Sequence, residues 1–200
     1  MAFTYFFRDL QTLELIADHL IPFVSGRSRI RIWDAGCAMG QEAYTLAIIL
    51  AERMGRFAFK NVQILATDID GSDLFEDIIK NGVYPNEEIQ RIPADLLEKY
   101  FQPAEKPGHS QLIDLIRQRV TYQKHDLLSL RSIGEEFCLV LCKNVLLHFQ
   151  PQERTEVIRM YHQSLTPGGF FATEQTQKLP DGVSSLFEPV VSNAQLFKKV

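Results

Sequence analysis

The chain reads as an α/β protein built on a parallel sheet. Three observations predict this: an apolar segment that runs into a glycine-bearing loop and then a helix, a second apolar segment that ends in acids, and a later six-residue stretch that is apolar throughout. In the first, Ile30 to Trp33 leads through Asp34-Ala35-Gly36-Cys37-Ala38-Met39-Gly40 into a helix from Gln41 to about Arg53, with Ala43, Leu46, Ala47 and Leu50 on one face. The second, Val62 to Ala66, ends in Thr67-Asp68-Ile69-Asp70, after which Ser72 is placed to cap a helix from Asp73. Together they form a βαβ unit. The third, Phe137 to Cys142, suits a strand buried on both faces.

The remaining elements follow from the same periodicities. Asp9 to Val24 spaces Leu10, Leu13, Ile16, Ala17 and Leu20 as an amphipathic helix ended by Pro22, and Ser25 to Ser28 makes a turn. From Gly82 to Val120, Pro85, Pro93, Pro103 and Pro107 break the chain into short pieces, which reads as a lobe inserted beside the sheet. Val120 to Gln123 is a strand, and Gln152 to Ser164 a helix that stops at Thr166-Pro167-Gly168-Gly169. Phe170 to Thr173 and Gln195 to Val200 are the last strands. No repeat or flexible linker divides the 200 residues, so one domain over residues 1–200 is expected.

Composition narrows the function. With 46% hydrophobic and 23% charged residues, the chain has an ordinary globular profile and excludes collagen, disordered tails and disulfide miniproteins. Its three cysteines, Cys37, Cys138 and Cys142, are odd in number and lack a CxxC pair, which suits reduced thiols and a cytoplasmic location. A net charge of -4, from 21 basic and 25 acidic residues, supplies no global positive field for nucleic acid. The N-terminus lacks signal-peptide order, no apolar run is long enough to span a bilayer, and no metal is expected.

In an open α/β sheet the loop after the first strand is the usual ligand contact, and Gly36 and Gly40 lie there. Gly-x-x-x-Gly lacks the third glycine of the dinucleotide fingerprint, so its context carries the inference. Asp68, at the end of the next strand, is placed to accept hydrogen bonds from both hydroxyls of a ribose. The alternative is a tight turn and a solvated acid. Glu42, in the first turn of the helix, disfavours a phosphate and favours a cationic ligand such as S-adenosylmethionine, although it also complements the helix dipole.

Residues Ile32 to Ala47 closely resemble the cofactor loop of the CheR-type chemotaxis receptor glutamate methyltransferases. Five further blocks agree in order: Thr4-Tyr5-Phe6-Phe7-Arg8-Asp9 with the family's Thr-x-Phe-Phe-Arg, Ala66 to Asp70 with its ribose strand, Gly82-Val83-Tyr84 and Asp126-Leu127-Leu128 with its Gly-Ile-Tyr and Asn-Leu-Leu, and Cys142 to Phe149 with its Cys-Arg-Asn-Val-x-Ile-Tyr-Phe. The resemblance implies a class I S-adenosylmethionine-dependent methyltransferase, a Rossmann-like sheet with a small inserted subdomain at about 82–120. It implies cofactor contacts from Thr4, Arg8, Glu42, Asp68, Asp126, Leu127, Lys143 and Asn144, beside Gly36 and Gly40 of the loop. The substrate it implies is a glutamate of a signalling receptor or other protein, methylated to an ester. Such a carboxylate is ionised at neutral pH and needs no general base, so Arg8 is the natural clamp.

Departures from the family qualify this reading. Lys143, Asp126 and His148 stand where it has Arg, Asn and Tyr, and Ala172 to Thr176 replaces a Gly-His-Ser-Glu type segment. His148 brings a group that titrates near neutrality, so a second reading is a methyltransferase for another acceptor with His148 as base. A third is a non-catalytic module that binds the cofactor. The family's N-terminal helical domain is expected to be absent, with a separate helical partner chain as an open alternative.

Overall fold

The computed structural model describes residues 4–176 and 178–200. Helix α1 (Leu10–Phe23) precedes β1 (Ile30–Ala35), α2 (Gln41–Phe59), β2 (Val62–Asp68) and α3 (Phe75–Asn81). A lobe follows: β3 (Val83–Pro85), α4 (Ala94–Tyr100), β4 (Phe101–Pro103), β5 (His109–Leu112) and α5 (Asp114–Arg117). The chain returns through β6 (Val120–Lys124), β7 (Phe137–Cys142), α6 (Pro151–Ser164), β8 (Leu165–Thr173), α7 (Asp181–Ser184), β9 (Phe187–Pro189) and β10 (Leu196–Lys199). The main sheet has the order β6-β2-β1-β7-β8-β10-β9. Its first five strands are parallel, and β10 is antiparallel to both β8 and β9. The lobe carries a separate antiparallel sheet, β3-β5-β4.

The alternation of β1 sets the layers. Ile30 and Ile32 pack with Leu13, Ile16 and Leu20 of α1 and Leu46 and Leu50 of α2. Trp33 and Ala35 face the opposite layer, with Val157, Ile158 and Tyr161 of α6. The Trp33 ring meets Tyr161 edge to face at 5.1 Å, and its indole N–H donates to Thr67 Oγ1 at 2.9 Å. A buried indole finds its partner without leaving the core. All six residues of β7 are buried, as the unbroken apolar run predicts.

Several expectations need correction. Helix α2 continues past Arg53 to Phe59 through a non-helical break at Gly55. Helix α3 starts at Phe75 with Leu74 at its N-cap position, and the side chain that takes its first N–H is Asp70 rather than Ser72: Asp70 accepts from the Phe75 N–H at 2.9 Å and from the Ser72 hydroxyl at 2.7 Å. Although burial pushes the Asp70 carboxyl up, these hydrogen bonds outweigh it and hold it below the usual carboxylate range. The strand expected from Phe170 to Thr173 begins earlier, at Leu165 directly after α6 ends, and takes in Thr166 to Gly169. Strand β9 had no signal in the apolar pattern, being three residues with only Phe187 buried.

The lobe braces the loop after β1. Tyr84 of β3 donates its hydroxyl proton to the Met39 carbonyl at 2.7 Å. Gly40 has φ +89°, and a Cβ there would lie 2.7 Å from Ile79 Cγ1 and 3.3 Å from the Tyr84 hydroxyl. Gly40→Ala is therefore expected to lose at least about 2 kcal/mol of stability, from left-handed backbone strain of about 1–2 kcal/mol plus overpacking. Denaturant unfolding checks this. A loss under about 0.5 kcal/mol, as for an ordinary surface change, would mean that loop and lobe shift independently.

Candidate functional site

Strand order reverses between β1 and β7, since β2 continues to one side of β1 and β8 to the far side of β7. In a doubly wound sheet the loops leaving such neighbours diverge and open a crevice at the carboxyl ends. A cavity of about 600 Å³ lies there, within the range of small-molecule sites. Thr4, Arg8, Gly36, Glu42, Asp68, Asp126, Leu127, Lys143, Asn144 and His148 all line it. Gly40, grouped with them from sequence, does not: its open face is filled by Ile79 and Tyr84.

The loop after β1 is shaped by backbone contacts. The Gly36 and Cys37 N–H groups donate to the Thr67 carbonyl at 2.7 and 3.0 Å, which folds the loop against the end of β2. Gly36 has φ +90°, and a Cβ there would fall 2.1 Å from Val145 Cγ2. Only glycine lets the two loops approach this closely. Asp68 Oδ2 accepts from the Ala38 N–H at 2.9 Å and Oδ1 from the Asp70 N–H at 3.1 Å. A carboxylate offers about four lone-pair sites, so acceptor capacity remains for two hydroxyls. Asp70, spent on capping α3, does not line the cavity.

Lys143 gathers the charges. Its side chain is 1% exposed, and Nζ lies 3.1 Å from Asp9 Oδ2 and 3.3 Å from Glu42 Oε2. Asp34, on the Ile30–Ile32 face of β1, is fully buried and neither oxygen has a hydrogen-bond partner among the described residues. Burial pushes the Asp34 carboxyl well above the usual range, the Glu42 and Asp68 carboxylates push it further, and Lys143 pulls it back. Burial also raises Glu42, against the charge and hydrogen bond of Lys143. Two carboxylates, Asp9 and Glu42, thus face one ammonium above a protonated Asp34, and the imbalance favours a cationic ligand.

Arg8 also lines the cavity, and its Nη2 donates to Asn144 Oδ1 at 3.2 Å. Its place follows from the residues around it. Phe6 is wholly buried, edge-on to Tyr84 at 4.9 Å and to Phe101 at 5.6 Å, while the Phe7 N–H donates to Thr45 Oγ1 at 3.0 Å. The aromatics are core, and as core they aim Arg8. Asp126 Oδ1 accepts from the Leu128 N–H at 2.9 Å and fixes the turn that presents Leu127. His148 is exposed on the short turn Leu146–His148.

Asp9, Asp34, Val145 and Glu174 belong to this neighbourhood but were not singled out from sequence. Asp34 had a signal, an acid inside an apolar strand. Glu174 had none, because its partner Asn144 is 30 residues away.

Comparison with known proteins agrees with this geometry. A sequence model described as the CheR methyltransferase, SAM binding domain, matches residues 2–195. A chemotaxis protein methyltransferase of Vibrio anguillarum is 30% identical over 200 residues, covering 98% of this chain and 72% of that protein. A chemotaxis protein methyltransferase of Pseudomonas putida is 34% identical over 190 residues, covering 89% and 67%. Among solved structures, magnesium protoporphyrin IX methyltransferase from Synechocystis, with SAM bound, superposes with a TM-score of 0.54 at 15% identity, over 95% of this chain and 78% of that one. That likeness bears on the fold, a class I methyltransferase sheet.

The buried acid gives a signed pH prediction. With its carboxyl raised, Asp34 keeps its proton in the folded protein where the unfolded chain, near pKa 3.9, has lost it. Stability then falls as pH rises from about 4 toward the folded value. The melting-temperature difference between Asp34→Asn and the native protein should therefore move in favour of the variant from pH 4 to pH 8. A difference constant across that range would show that Asp34 ionises as it does in the unfolded chain.

Proposed function

The chain belongs to the CheR methyltransferase family, and from that premise we propose that it esterifies the side-chain carboxylate of a glutamate in a chemotaxis receptor. S-adenosylmethionine is its cofactor, and when bound it supplies an electrophilic methyl group. One observation carries the reading: Arg8 lines the same cavity as Glu42 and Asp68, with its guanidinium held by the Asn144 side chain. A guanidinium there is suited to hold an incoming carboxylate in a bidentate geometry.

The roles follow from the chemistry of each group. Asp68 receives the ribose hydroxyls through its remaining lone pairs. Glu42, only partly neutralised by Lys143, faces the ammonium and sulfonium charges. Gly36 would allow the backbone to approach the cofactor, and Leu127 would add an apolar contact from the cavity wall. Arg8 holds the acceptor carboxylate in a fixed orientation, and because that carboxylate is already ionised the chain has no proton to remove. His148, exposed at the mouth, contacts the acceptor segment.

No helix among the described residues is long and apolar enough to cross a membrane.

Calorimetry should show S-adenosylmethionine and its demethylated product binding in the micromolar range, roughly -8 kcal/mol, with Asp68→Ala weaker by about 1–3 kcal/mol. Arg8→Lys should leave that affinity within about twofold and lower turnover tenfold or more, since the charge survives and the planar fork does not. Methyl label on the receptor should be released by mild base. Base-stable label together with a turnover that rises through neutral pH and flattens in His148→Gln would instead assign a protonated acceptor and a general base.

A further inference from the structure

Glu174 lies just beyond β8, whose last residue Thr173 is registered against Cys142 at the end of β7. Its carboxyl is buried, 6% exposed, and reaches across to the turn after β7. Oε2 accepts from the Asn144 backbone N–H at 2.9 Å and from the Thr173 hydroxyl at 2.8 Å, while Oε1 is buried with no hydrogen-bond partner among the described residues. Burying a carboxylate with one oxygen unsatisfied costs stability, so the surrounding structure must hold it there. Asn144 has φ +59°, a left-handed conformation that asparagine tolerates but does not prefer. The hydrogen bond to Glu174 anchors the N–H of that residue. The Asn144 side chain in turn accepts from Arg8 at 3.2 Å.

We infer that Glu174 is a positioning residue for methyl transfer: by holding the Asn144 N–H it fixes the left-handed turn, and through the Asn144 side chain it sets the guanidinium of Arg8. The effect on turnover rests on the acceptor reading of Arg8; the hold on Asn144 does not. Glu174 is not itself part of the cavity lining, and it reaches the site through Asn144, which is.

Two measurements test it. In an amide NMR spectrum, Asn144 should resonate downfield as the donor to a carboxylate and move upfield in Glu174→Gln, whose neutral carbonyl accepts the same bond more weakly. In kinetics, Glu174→Ala should lower kcat about tenfold or more, and Glu174→Gln, which keeps an acceptor in place, should retain most of it. Glu174→Ala added to Arg8→Ala should cost less than about twofold further, because both act on one group. Thermal unfolding of each variant confirms that the fold persists. An Asn144 resonance that does not respond, or full multiplicative losses in the double variant, would overturn the inference. If Arg8→Ala alone leaves kcat unchanged while the Asn144 resonance still moves, the acceptor reading fails and the hold of Glu174 on Asn144 is upheld.

Discussion

An ammonium withdrawn from water beside three acids governs the floor of this cavity. Lys143 follows directly on β7, and its side chain is almost wholly enclosed between Asp9 at the start of α1 and Glu42 in the first turn of α2. Each of those acids sits on a different element, so the ion pairs tie α1, α2 and β7 at one point. Breaking a buried pair by removing one partner costs about 3–5 kcal/mol, because the other charge is left uncompensated. The arrangement also sets one ammonium against the carboxylates of Asp9 and Glu42, with Asp34 protonated beneath. A site of this sign is prepared for a cation, and that is a property of the chain rather than of any ligand.

The segment that carries Arg8 depends on apolar packing. Arg8 has no regular element of its own: it lies in the segment before α1, between Phe7 and Asp9, both at positive φ. What steadies it is Phe6, locked between Tyr84 and Phe101 of the lobe, and the Phe7 N–H on Thr45 of α2. Thr45 Oγ1 itself donates to the Gln41 carbonyl, one turn back along the helix. The lobe therefore contributes to the cavity at second hand. It places no residue in the lining, yet through Tyr84 it supports both the loop after β1, at Met39, and the entry segment, at Phe6.

How far the sequence spoke depended on the range of the interaction. Strands β1, β2 and β7, and helices α1 and α6, were legible because burial imprints its period on consecutive residues. Cavity residues such as Gly36, Glu42 and Asp68 were legible because a strand, a loop and a helix in succession fix their places. Gly40 looked like them and proved otherwise, since a glycine reports that space is scarce without saying what fills it. The cap of α3 was misplaced because Asp70 reaches five residues forward to the Phe75 N–H, where Ser72 seemed the nearer donor's partner. Glu174 and Asp9 could not be found at all: the first meets Asn144 across a strand pair and the second meets Lys143 from the far end of the chain.

The turn after β7 shows why these distant contacts matter together. Three successive residues there face three different demands. Lys143 must turn inward to the acids, Asn144 must present its side-chain oxygen to Arg8, and Val145 must press against the loop at Gly36. An extended strand alternates its side chains between only two faces, so it could not meet all three. The left-handed residue at Asn144 breaks that alternation and sends its neighbours in separate directions. The missing Cβ at Gly36 then leaves room for Val145. Each feature is unfavourable by itself, a strained asparagine and a helix-entry loop without a side chain, and each makes sense only when the other is present.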